Sequence, residues 1–160
     1  MAYIDKINVN GTNYDLGVME SLKDANGHNR FIEGNPTSNL SNTGLTIDYA
    51  KWSLSGTHLM IVFAFSNNTG SDIVLNAWTV LFAISLEQWV RSKIYPLGNS
   101  GIIMISDIKV LNPSNYTITS NGNIYLNAIA GGYNCVLPSS TTIASGNICR
   151  VQFDLIIDMD

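Results

Sequence analysis

Few groups in this 160-residue chain have the residue types and spacing that chemistry requires. The two histidines, His28 and His58, stand on different segments, each without a nearby cysteine or a second histidine at helical spacing, so no zinc motif forms. Cys135 and Cys149 fit no metal spacing either. Cys149 alternates with Val151 and Phe153 as a small core residue would, and two reduced thiols are expected. Ser55 precedes His58 in "SGTHL", but "LSG" is not a nucleophile elbow on a strand-to-helix turn. Gly131-Gly132 is isolated and makes no phosphate-cradling loop. Glu33, Asp48, Asp72, Glu87, Asp107 and Asp154 are carboxylates of the kind that glycosidases use in facing pairs, yet nothing in the sequence singles out a pair. The chain reads as non-enzymatic, with no cofactor and no metal.

Aromatic residues offer a different chemistry. Trp52, Trp78, Trp89, Tyr49, Tyr95, Tyr116, Tyr125 and Tyr133 are spread among polar loops and strands. An exposed ring beside amides or carboxylates suits the apolar face and the hydroxyls of a sugar. Tyr133 and Asn134, in the stretch from Gly131 to Pro138, are the candidate glycan-binding pair; the tryptophans are expected in the core or at subunit contacts. Asn-x-Ser/Thr sequons at Asn10, Asn39, Asn67 and Asn115 are read as accidents of an Asn-rich composition.

Hydrophobic residues make up 46% of the chain and charged residues 12%, about half the usual charged share. That balance excludes a disordered chain and favours surfaces partly covered by partners. The net charge is −4 and the eight Lys and Arg are scattered, so nucleic acid is a poor partner. No apolar run approaches the roughly 20 residues of a membrane-spanning helix. The start, "MAYIDKINVNGTNYDLG", is polar at every second position and is no secretory signal, which predicts synthesis in a cytoplasm.

The elements that would carry any site are strands. Asn10-Gly11 predicts a short N-terminal hairpin. "VMESLKDANG" suits one or two helical turns or a loop, "HNRFIEG" a strand, and "NPTSNLSNTG" a polar loop. Extended segments follow at 45–54, 58–65, 72–84, 101–111, 116–120, 123–130 and 147–158, with Asn121-Gly122 predicted to turn a hairpin. Turn signals at about 8–12-residue spacing predict an all-β, antiparallel β-sandwich of jelly-roll type. Residues 1–17 form the extended arm, 18–44 a linker with one strand and a polar loop, and 45–160 the sandwich domain.

Three strands lack the alternation of a half-buried strand: "LMIVFAF", "VLFAIS" and "GIIMIS". In the first, Leu59, Ile61, Phe63 and Phe65 fill one face, and Met60, Val62 and Ala64 fill the other. A sandwich strand needs only one face in its own core. The second face, Met60, Val62 and Ala64, must then be covered by loops, by the N-terminal segment or by a neighbour, and a contact between copies of the chain is the favoured expectation.

The opening pattern Ile7, Gly11, Tyr14 and Leu16 resembles the start of many phage virion proteins. "AKWSLSGTHLMIVFAF", "TVLFAISLEQWVRSKIYPL", "ITSNGNIYLN" and "LPSSTTIASGNICRVQFDLIID" resemble the C-terminal heads of tail-fibre and minor structural proteins of tailed phages. The resemblance implies a jelly-roll-like head, usually a homotrimer, carried on a virion and made in the bacterial host cytoplasm. It implies an anchor at Tyr3, Ile7, Val9, Tyr14 and Leu16 that docks on other virion proteins, and a host-surface glycan as ligand. The chain departs from fibres in having no heptads and no repeats, which points to a small appendage, head fibre or capsid decoration. The rival readings are a bacterial carbohydrate-binding module or adhesin and, behind it, a glycan-degrading enzyme.

Overall fold

The computed structural model describes residues 6–9, 12–15, 31–92, 94, 101–129 and 132–156. Strands β1 (Lys6–Val9) and β2 (Thr12–Asp15) pair antiparallel, with Val9 opposite Thr12, as a short N-terminal hairpin requires; Asn10 and Gly11 themselves fall outside the described residues. The helical turns expected in "VMESLKDANG" fall outside the described residues.

The main body contains β3 (Phe31–Gly34), β4 (Thr37–Ser38), a 3-10 turn (Leu40–Asn42), β5 (Thr46–Ser55), β6 (His58–Ser66), β7 (Ile73–Leu75), β8 (Val80–Ser85) and helix α1 (Gln88–Ser92). It continues with β9 (Gly101–Asn112), β10 (Thr117–Ile129), β11 (Gly132–Val136), β12 (Thr141–Ile143) and β13 (Ile148–Ile156). Nine strands form one sheet in the order β3-β5-β6-β13-β9-β10-β11-β8-β4, every neighbouring pair antiparallel. The chain is all-β, as expected.

The sheet is curled on itself. Strands β6 and β8 stand five places apart in the order, about 24 Å in a flat sheet. Yet the rings of Phe63 and Phe82 have centroids 4.1 Å apart. The two edge strands, β3 and β4, are separated in sequence only by Asn35 and Pro36. Three chain steps reach about 11 Å at most, so the edges of the sheet must approach each other. Both strands lie in the 18–44 segment and pair with β5 and β8.

Strand alternation decides what the curl encloses. Leu59, Ile61, Phe63 and Phe65 of β6 are fully buried, as are Cys149, Val151 and Phe153 of β13, Ile108 of β9, and Ile124 and Leu126 of β10. Leu86, Val90 and Ile94 bring the α1 region into the same core, and Leu40 of the expected polar loop is fully buried too. Two of the glycines that geometry requires bear on the sheet itself. A Cβ on Gly132 would run into the Ile84 carbonyl oxygen of the neighbouring strand. Gly122, at φ +94°, sits where β10 carries one residue more than β9 between Ser120 and Asn123.

That second glycine corrects an expectation. Asn121-Gly122 turns no hairpin; it is a β-bulge inside the 13-residue strand β10. The positive φ is used to bend the strand, and the Asn121 amide donates to the Thr142 carbonyl at 2.8 Å. The β9–β10 connection lies instead at residues 113–116. Likewise 72–84 is not one strand. It divides into β7, which pairs with β12, and β8, with Trp78 at φ +64° between them.

One buried polar residue ties these connections together. Asn67 is fully buried. Its amide donates to the carbonyls of Ser71 and Ile143, both at 2.8 Å, and its oxygen accepts from the Thr69 N–H and hydroxyl. Its backbone N–H donates to Asn147 and its carbonyl accepts from Gly146. Every amide hydrogen is used, so this sequon is closed to glycosylation. Asn67→Ala leaves buried partners unmet and is expected to lower unfolding free energy by about 2–4 kcal/mol in urea titration.

The cysteines are free and buried. Burial pushes the Cys135 thiol up, and burial together with the Asp48 carboxylate pushes Cys149 up to about 12 from 9.0. Above pH 9 the unfolded thiols lose protons that the native ones keep, so the unfolded state binds fewer protons and stability falls as pH rises. Urea midpoints are expected to decline between pH 9 and 12, and less steeply in a Cys135→Ser/Cys149→Ser variant.

Candidate functional site

The outward face of the central strands carries charged, polar and apolar side chains in register. Register places Tyr49, Ala64, Arg150, Lys109 and Ser120 in one row across β5, β6, β13, β9 and β10. The next rows hold Lys51, Val62 and Gln152, then Ser53, Met60 and Asp154. Because side chains alternate, the polar members of β13 lie opposite the inward Cys149, Val151 and Phe153.

Two depressions open on this face. One, of about 360 Å³, is lined by Tyr49, Met60, Val62, Ala64 and Arg150. The other, of about 510 Å³, is lined by Ser106, Asp107, Lys109, Ile118, Arg150 and Gln152. The second exists because β13 and β9 pair only through Ile148, Cys149 and Arg150 and then part. The Ser106 hydroxyl donates to the Gln152 carbonyl at 2.7 Å where the ladder stops. Arg150 is the wall between the two depressions.

The charges differ in their partners. Lys109 donates to Asp107 at 2.8 Å, and Lys51 pairs with Glu33 at 3.4 Å. Arg150 donates to the Gln152 side-chain oxygen at 3.1 Å and has no carboxylate within ion-pair distance among the described residues.

The three doubly apolar strands now separate. In β8, Leu81 and Phe82 are consecutive and both fully buried, so the chain covers both faces itself. In β6, Val62 is nearly buried, Ala64 is half-buried and Met60 is 40% exposed. In β9, Ile102 and Ile105 are 48% and 56% exposed.

The expected glycan pair is not brought to a surface loop. Tyr133 lies in β11, opposite Ala128 and Ile84, and is 5% exposed; burial raises its phenol pKa and the Arg91 charge lowers it. Its ring belongs to the core because 132–136 is a strand covered on both faces. Asn134 is half-buried, opposite Asn127 and Ala83. Among the described residues the exposed rings are Tyr49, on β5, and Trp78 and Tyr116, the latter two at positive φ in connections. Of the anchor residues, Ile7 and Tyr14 are register partners and Val9 lies opposite Thr12, while Tyr3 and Leu16 fall outside the described residues.

The candidate catalytic groups do not converge. Ser55 and His58 are register partners, but no side-chain hydrogen bond joins them; the His58 Nδ1 lies 3.4 Å from Asp154, both side chains being exposed. Asp48, Asp72 and Glu87 accept from Ser66, the Ser145 N–H and the Trp89 indole respectively. No two of the singled-out carboxylates line either depression together. Among the described residues no three of His, Cys, Asp and Glu gather, and no helix is long and apolar enough to cross a membrane.

Arg150, Lys109 and Gln152 were not foreseen as a site. The alternation of β13 marks Arg150 and Gln152 as outward, but their meeting with Ser106 depends on a strand pairing across about 40 residues.

No protein-family model matches the chain, and no curated protein matches it in sequence. Among solved structures the chain is distantly similar to a reovirus attachment protein, sigma1, crystallised in complex with α-2,3-sialyllactose. The TM-score is 0.34 and the identity 10%, over 96% of this chain and 86% of that one.

Proposed function

We propose that the chain is a non-enzymatic structural protein of a tailed-phage particle, a homo-oligomeric head whose β6 outer face is covered by a neighbouring copy. The carrying observation is that face: Met60 and Tyr49 stand 40% and 49% exposed around a depression floored by Val62 and Ala64. An apolar hollow on a regular sheet face receives a side chain from a partner more readily than it stays wet. The phage context rests on the sequence resemblance. The β1–β2 hairpin is the anchor on the particle, and the closed symmetry is a trimer.

A second reading, a glycan-binding module, is favoured by Trp78 and Tyr116, whose rings are 68% and 83% exposed. A monomer with sugar affinity would select it.

Light scattering after size exclusion should give a mass near three chains, and Met60→Asp should give one chain that still unfolds cooperatively, with a thermal midpoint independent of concentration. A wild-type mass of one chain overturns the oligomer. Deleting residues 1–17 should leave a folded head that no longer joins the particle; retained incorporation removes the anchor assignment.

A further inference from the structure

The depression at the parting of β9 and β13 has features that an oligomer contact does not use. Its charges sum to one positive unit. Lys109 is neutralised by Asp107 at 2.8 Å, and Arg150 is left with an amide for a partner. A guanidinium carries five N–H donors in a fork that matches a carboxylate, and the Gln152 oxygen takes one nitrogen's share. The chain as a whole carries −4, so nothing draws polyanions to it in general; any attraction is local to this cation.

The remaining lining is mixed in a specific way. Ser106 and Gln152 supply hydroxyl and amide groups, Asp107 an acceptor, and Ile118, 70% exposed, an aliphatic surface. Across Arg150 lies the half-exposed ring of Tyr49. The volume, about 510 Å³, falls within the usual span of small-ligand sites. One unneutralised cation, several donors and acceptors, and flanking apolar surface match a molecule with one carboxylate, several hydroxyls and C–H faces.

We infer that this depression binds a saccharide bearing a single carboxylate, of the uronic-acid type, with Arg150 holding the carboxylate and Ser106, Asp107 and Gln152 the hydroxyls. The inference does not depend on the oligomer. The site lies beside the Met60 face, and Arg150 divides the two.

Saturation-transfer NMR on the full chain, with D-glucuronic acid and D-glucose as probes, tests it. Glucuronate should give a signal that about 0.5 M NaCl suppresses, and glucose should give little. Arg150→Gln should weaken glucuronate binding by about tenfold or more, Arg150→Lys by less because the charge remains without the fork, and Lys51→Gln not at all. Thermal midpoints confirm that each variant is folded. Equal signals for both sugars, no glucuronate signal, or undiminished binding by Arg150→Gln overturns the inference. Equal binding of propionate shows a bare carboxylate site and overturns the saccharide assignment.

Discussion

The contact between Phe63 and Phe82 expresses the constraint on which the rest depends: one antiparallel sheet must fold over until its third and eighth strands face each other. Hydrogen bonding alone would permit a flat nine-stranded sheet. The inward rows of β6, β13, β10 and β8 forbid it, because flattening would return their fully buried side chains to water. The Asn35-Pro36 step between opposite edge strands is compatible only with the curled form. The closeness of β11 to β8, which leaves no room for a Cβ at Gly132, belongs to the same tight second half.

The curl also creates the outer relief. A sheet turning a corner cannot keep every ladder intact. Here the break falls between β13 and β9, after Arg150 and Lys109. At that break a serine hydroxyl replaces the missing backbone partner of Gln152, and polar side chains gather where the strands part. On the adjoining part of the face, where β5 carries Asp48 as an extra residue before Tyr49, the small Ala64 sits between Tyr49 and Arg150, and a shallow apolar hollow results. Thus the same corner yields an apolar hollow and a polar one, side by side.

What sequence could reveal follows from the range of the interactions. Short-range signals were legible: the pairing of β1 with β2, the alternation of β13, and the inward row of β6. Asn121-Gly122 carried the same local signal as the hairpin, but the pairing of β10 with β9 on both sides of it made it a bulge. Tyr133 looked like a loop residue because its strand is five residues long and glycine-flanked; only its neighbours β10 and β8 make it core. The Arg150 row needs the register of five strands at once, and Asn67 needs a carbonyl 76 residues away. Neither is local information.

The position of β13 has a consequence for how the molecule comes into being. It lies between β6 and β9 at the middle of the sheet, yet about 80 residues of chain separate it from the strand it pairs with most fully. Until Ile148–Ile156 has left the ribosome, β6 has one neighbour and an open ladder, with Phe63 and Phe65 lacking the row of Cys149, Val151 and Phe153 beside them. Such long-range pairing folds slowly, since loop closure precedes its reward. Assembly therefore waits on translation, and the nascent chain passes through an interval in which its most apolar strand is half-paired, the stage at which a chaperone or a neighbouring nascent copy would find it.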